Sequence, residues 1–153
     1  MKIKTLAIIA GLTFAPIQIQ ASQETTDADK LILRAHQLIE NQNFNGAILC
    51  SVSTSRLGYS AESDLHIANI FQSGHQLGYN QTEIVVASAI STTSIHARMN
   101  AYTDGLIDGL KQHTPSLQLT PQIKRQFDQK RLLGWYKENR CKSGSQTGKY
   151  PSP

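Results

Sequence analysis

Long apolar runs are what this 153-residue chain has least of. The longest, Leu6 to Ala15, is broken by Gly11 and Thr13. A bilayer core about 30 Å thick needs roughly 20 apolar residues, so this run does not span one. No later stretch is apolar enough, and no transmembrane helix is expected. Local catalytic frames are missing as well. There is no glycine-rich phosphate loop, no nucleophile elbow and no histidine-rich metal motif. No catalytic residue, cofactor or metal ligand is therefore expected. Cysteine is scarce: the chain has only Cys50 and Cys141, and none close behind the apolar run to carry a lipoprotein anchor.

The N-terminus carries the three parts of a secretory signal: a basic start at Met1-Lys2-Ile3-Lys4, the short apolar run, and a small-residue end at Ala21-Ser22. Cleavage near Ala21 is expected, because a cut after Ala15 would place Pro16 just behind it. The alternative is an uncleaved N-terminal anchor. The predicted organisation is a signal peptide at 1–21, a single helical domain at 22–141 and a disordered tail at 142–153, giving a periplasmic or secreted protein.

In an exported chain, two cysteines most simply pair with each other. Closing a loop of about 90 residues restricts the unfolded chain by roughly 4 to 5 kcal/mol. That is a large share of the roughly 5–15 kcal/mol that holds an ordinary domain folded. The competing arrangement is a homodimer with two intermolecular bridges.

Without the signal's two lysines, 13 basic residues face 11 acidic ones, a net +2. The balance is uneven, since 22–119 holds five basic and nine acidic groups and 120–153 holds eight and two. A C-terminal region of net +6 suits an anionic contact, or is simply a well-solvated tail.

Helical punctuation recurs along the chain. Thr26 with Asp29 reads as a capping box ahead of Ala28, Leu31, Ile32, Ala35, Leu38 and Ile39, and Asn43 to Gly46 reads as the end of that helix. The apolar run Ala47 to Val52 fits a helix or a strand, with helix favoured by the glycine stop Leu57-Gly58-Tyr59 and Ser60 as the next N-cap. The stop recurs at Leu77-Gly78-Tyr79, followed by Asn80 and Glu83 as a second capping box. From Gln81 to about His113, Ile95, Met99, Tyr102, Leu106 and Leu110 form an apolar stripe. Ala89, Thr93, Ala97, Ala101, Gly105 and Gly109 form a small-residue ridge suited to close helix packing. Ser91-Thr92-Thr93-Ser94, poor in helix formers, is expected to weaken or break this segment. Thr120-Pro121 opens a last helix, whose buried face begins with Ile123 and Phe127.

His96, Asn100, Asp104 and Asp108 fall four apart, so they share a helix face. A histidine with two carboxylates has the chemistry of a metal site, but such sites draw ligands from more than one element, and a solvated face explains the pattern. Glu83-Ile84, Ile90-Ser91 and Ser94-Ile95 leading to Arg98 resemble the helix-turn-helix of DNA-binding regulators. Ser88 stands where that family buries a large apolar side chain, and an exported chain does not meet chromosomal DNA, so no nucleic-acid partner is expected.

Phe44-Asn45-Gly46-Ala47-Ile48-Leu49-Cys50 resembles the early cysteine helix of the immunity proteins that block type VI secretion amidase effectors. Ala101-Tyr102-Thr103-Asp104-Gly105-Leu106-Ile107-Asp108-Gly109 is similar to a Gly-Tyr-x-x-Gly-type helix of that group, although Asn100-Ala101 replaces its Cys-Gly pair. The resemblance implies a small exported helical protein that blocks a cell-wall-degrading hydrolase.

The expected fold is all-α, a compact bundle of four to six helices with one disulfide and a disordered basic C-terminal tail. The expected function is an exported protein-binding module acting as inhibitor or immunity protein. An envelope or secretion accessory, or a small secreted enzyme built on His96, Asp104 or Asp108, are the alternatives. Tyr59, Tyr79, Trp135 and Tyr136 are the candidate partner-binding residues, because aromatic side chains bury large areas at little entropic cost.

Overall fold

Six helices and no strand make up the described part of the computed structural model, which covers residues 26–116 and 120–151. They are α1 (Asp27–Ile39), α2 (Gln42–Leu57), α3 (Ser60–Gln76), α4 (Gln81–His113), α5 (Pro121–Glu138) and α6 (Cys141–Thr147). The fold is all-α, as expected. The predicted signal at 1–21 and its cleavage site near Ala21 lie outside the described residues.

The local signals act where the sequence places them. The Thr26 hydroxyl accepts from the Asp29 amide, and the Asp29 carboxylate accepts from the Thr26 amide. Asn80 and Glu83 repeat the device at the start of α4. Thr120 caps α5 with Pro121 in its first turn. Gly58 and Gly78 both sit at φ 80°, a left-handed turn open to glycine at low steric cost. Ser60 is the first residue of α3 rather than its cap; Tyr59 holds the cap position, with no side-chain hydrogen bond.

Residues 43–46, expected to end the first helix, lie inside α2. The break falls earlier, where the Asn41 side chain accepts from the Phe44 amide and starts a new helix. Gly46 is small for a tertiary reason: a Cβ there would come within 2.5 Å of Tyr150 Cβ.

The core is centred on α2, which buries Phe44, Ala47, Ile48, Cys50 and Val52 among neighbours on several sides. Ser53 and Thr54 are buried with them because their hydroxyls donate to the Leu49 and Cys50 carbonyls of their own helix, at 2.8 and 2.7 Å. Leu38, Ile70, Ile84, Ile95, Met99 and Leu132 complete the core from α1, α3, α4 and α5. At Gly74 the helices α3 and α4 approach so closely that a Cβ would meet Ile84 Cγ1 at 2.5 Å. The Cys50–Cys141 disulfide is formed within the chain, with both residues fully buried.

Three further sequence expectations are corrected. First, α4 is one helix of 33 residues, unbroken at 91–94. Two of the hydroxyls that lower helix propensity there find partners: Thr93 donates to the Ala89 carbonyl and Ser91 to Asn45 Oδ1 on α2 at 2.8 Å. With no turn, the helix-turn-helix resemblance has no structural counterpart.

Second, the buried face of α4 runs through Ile84, Ala87, Ser91, Ile95, Met99, Thr103 and Ile107. The small-residue ridge lies two positions on, about 200° round the helix, and so faces away. A Cβ at Gly105 or Gly109 would have no atom within 4 Å. Tyr102 and Leu106, expected in the buried stripe, are exposed.

Third, residues 142–151 of the expected disordered tail are ordered. Cys141–Thr147 is a helix, and Tyr150 folds back beneath it with 7% of its surface exposed. Burial of one aromatic ring and a covalent bond at Cys141 outweigh the polar composition of the segment.

Candidate functional site

Five segments leave a cleft of about 620 Å³ between them. Ile39 and Glu40 come from the C-terminal end of α1, and Gln42, Asn45, Gly46 and Leu49 from one face of α2. Ile95 and Arg98 enter from α4, Trp135, Glu138 and Asn139 from the end of α5, and Pro151 from the C-terminal segment. Half-buried Leu49 and Trp135 supply apolar surface, and Ile95 lies buried behind them. The charged groups are Glu40, Glu138 and Arg98, all exposed. That volume lies within the usual 300–1,000 Å³ range for ligand-binding clefts.

Trp135 connects the cleft to a second feature. The Arg131 guanidinium lies 4.4 Å from the Trp135 ring centroid and 3.8 Å from that of Tyr102 on α4. Arg131 Nη1 donates to the Met99 carbonyl at 2.6 Å and to the Thr103 hydroxyl at 3.2 Å, while the Thr103 hydroxyl donates to Asp128 Oδ1 at 2.7 Å. No carboxylate among the described residues pairs with Arg131. Burial lowers its pKa from the ordinary arginine value, Arg56 adds repulsion, and Tyr102 and Asp128 oppose both. Arginine stays charged despite such shifts. One helical turn from this stack, Leu106 follows Tyr102 and Phe127 precedes Arg131, and both are exposed. Tyr102 itself is 54% exposed.

The four aromatics picked from the sequence make three separate sets of contacts. Tyr59 meets Tyr136 edge-on, with ring centroids 5.6 Å apart, and the Tyr136 hydroxyl donates to Glu62 at 2.7 Å. Burial, reinforced by that carboxylate, raises the Tyr136 pKa well above the ordinary phenol value. Tyr79 lies under the Arg34 guanidinium at 4.4 Å, and Arg34 also pairs with Glu83 at 2.8 Å, tying α1 to α4. Only Trp135 borders the cleft. Arg98, Tyr102 and Arg131 were not singled out for binding. The aromatic–arginine–aromatic spacing at 127, 131 and 135, one turn apart each time, was the available signal.

His96, Asn100, Asp104 and Asp108 do not converge with ligands from another helix. Asp104 instead pairs with Lys124 at 3.3 Å, and no group of three metal-ligating side chains is found among the described residues. No helix there is long and apolar enough to cross a membrane.

Elsewhere, His66 is fully buried on α3. Its Nδ1 lies 2.7 Å from the Tyr150 hydroxyl, which also accepts from Asn69 Nδ2 at 3.0 Å, and Asn69 donates to the Gly144 carbonyl at 3.1 Å. His66 Nε2 is buried with no partner. Burial lowers the His66 pKa, with Glu62 opposing. The group joins α3, α6 and the C-terminal segment.

Comparison with known proteins returns no matching family model, no matching curated protein and no matching solved structure. The chemistry of the site is therefore the basis for reading function. It offers aromatic and guanidinium surface beside a charged cleft.

Proposed function

We propose that the chain is an exported protein-binding module, an inhibitor or immunity protein that blocks a cell-wall-degrading effector in the periplasm. The observation that carries the reading is the Arg131 guanidinium held against Tyr102 and Trp135, with Leu106 and Phe127 exposed a turn away. Tyr, Trp and Arg are the residues in which binding energy concentrates at protein interfaces. A guanidinium already fixed by two rings and two hydrogen bonds loses little entropy when a partner covers it. The buried disulfide fits an oxidising compartment. The finer identity of the partner, a hydrolase, rests on the resemblance carried by Phe44 to Cys50 and Ala101 to Gly109.

The test is affinity capture from the envelope fraction with the mature, disulfide-intact chain, in parallel with a Tyr102→Ala/Phe127→Ala variant. One stoichiometric hydrolase, inhibited by the chain and lost with the variant, supports the proposal. Recovery of envelope or secretion components would favour an accessory role, and the absence of any partner would count against a binding module altogether.

A further inference from the structure

The cleft has a charge arrangement of its own, distinct from the arginine stack. Glu40 stands at the C-terminal end of α1 and Glu138 at the C-terminal end of α5. Helix C-termini carry partial negative charge from their free carbonyls, so each carboxylate adds to a region that already favours a cation. Arg98, on α4, brings the opposite charge to the same cleft. None of the three makes an ion pair or side-chain hydrogen bond in the described structure. The half-buried Leu49 and Trp135 give the same cleft an apolar lining.

We infer that this cleft binds a short peptide with free termini and an apolar side chain. The ammonium end would lie toward Glu40 and Glu138, the carboxylate toward Arg98, and the side chain over Leu49 and against Trp135. An apolar amine would leave Arg98 unmatched, and a fatty acid would leave the two glutamates unmatched and repelling. A zwitterion with an apolar body satisfies both ends. The guanidinium suits a carboxylate because its planar fork donates two parallel hydrogen bonds. This inference does not depend on the inhibitor reading, since a free peptide would occupy the cleft without any protein on the Tyr102–Arg131 face.

Trp135 is the sole tryptophan of the chain and lines the cleft, so its fluorescence reports occupancy directly. The probes are leucyl-phenylalanine with free termini, its N-acetyl form and its C-terminal amide, each titrated to millimolar concentration with calorimetry alongside. The free dipeptide is expected to saturate the signal. Blocking either terminus should weaken binding by about tenfold or more, the scale of one charge-assisted hydrogen bond. Arg98→Gln should weaken the free and acetylated peptides while leaving the amide unchanged. Glu40→Gln/Glu138→Gln should weaken the free peptide and the amide while sparing the acetylated form. These side chains are exposed, so circular dichroism and the melting temperature should match those of the parent chain. No saturable binding of the free dipeptide by either method overturns the inference. So does binding that ignores both the blocked termini and the substitutions.

Discussion

At one end of the molecule α2, α3 and α6 bury Cys50, Cys141, His66 and Tyr150 almost completely, while the last turns of α4 and the first turns of α5 leave Tyr102, Leu106 and Phe127 in solvent. The first region is held by apolar burial, a covalent bond and glycines that admit the Tyr150 ring. Added Cβ atoms at Gly46 and Gly144 would both collide with the Tyr150 side chain, at its Cβ and its ring respectively. The second is held by a thin set of cross-links: Thr103 to Asp128, Lys124 to Asp104, and Arg131 to the Met99 carbonyl. Its large side chains remain available. The difference shows how one small chain can keep a rigid frame and still present sticky surface, since the residues that stabilise the body are not those that face outward.

The comparison is tested most strongly at the clasped end. Replacing Cys50 and Cys141 together with alanine is expected to cost about 2–5 kcal/mol in chemical denaturation, the usual loss for a native disulfide in a small domain. Tyr150→Ala should cost about 3 kcal/mol through the lost ring contacts. Tyr150→Phe, which removes only the hydroxyl shared by His66 and Asn69, should cost about 1 kcal/mol. If both tyrosine variants melt like the parent, the C-terminal segment is not a clasp and the contrast fails.

Acid should sharpen the contrast further. Burial sets the folded His66 pKa below its ordinary value of 6.5, so the unfolded state binds more protons in that range. Stability is therefore full above about pH 6.5 and falls as pH drops through the folded value. Melting temperature measured from pH 7.5 to 5 should decline for the parent chain and stay flatter for His66→Gln. Glu83 follows the same sign lower down. Its hydrogen bond with Arg34, aided by the Asn80 amide, lowers its folded pKa from the ordinary 4.5, so the link it provides between α1 and α4 is lost only below that pH.

The smallest effects belong to the exposed arm. Asp128→Ala removes the acceptor of the Thr103 hydroxyl and should cost about 1 kcal/mol. Leu106→Ala and Phe127→Ala should stay within about 0.5 kcal/mol, as surface substitutions usually do. Amide exchange in residues 104–113 and 121–127 should outpace that of α2. Costs of several kcal/mol at Leu106 or Phe127 would mean that the arm is core, and the surface proposed for a partner would then be structural.

Much of the secondary structure was legible because it is written in local pairs. Thr26 with Asp29, Asn80 with Glu83 and Thr120 with Pro121 act within one turn, so neighbouring residues suffice to place them. The glycine stops at Gly58 and Gly78 are equally local, because a positive φ is a property of the single residue. The Cys50–Cys141 pair was the simpler expectation from a count of two cysteines and an expected export, with a bridged homodimer as the alternative, and the structure closes it within the chain. What remained hidden depends on partners far along the chain. Gly46 reads as a breaker until Tyr150 is seen against it, and Ser91 reads as a weak helix former until Asn45 accepts its hydroxyl. The small-residue ridge of α4 looked like a packing face, yet Ile95 and Met99 turned the helix the other way because burying their larger apolar surface gains more. The sequence by itself determined the all-α class, the caps at Thr26, Asn80 and Thr120 and the glycine stops at Gly58 and Gly78. Only the tertiary structure decided which face of α4 is buried, that Tyr150 draws the C-terminal segment into order, and that Glu40, Arg98, Trp135 and Glu138 meet around one cleft, since each of these rests on contacts between residues that no local pattern connects.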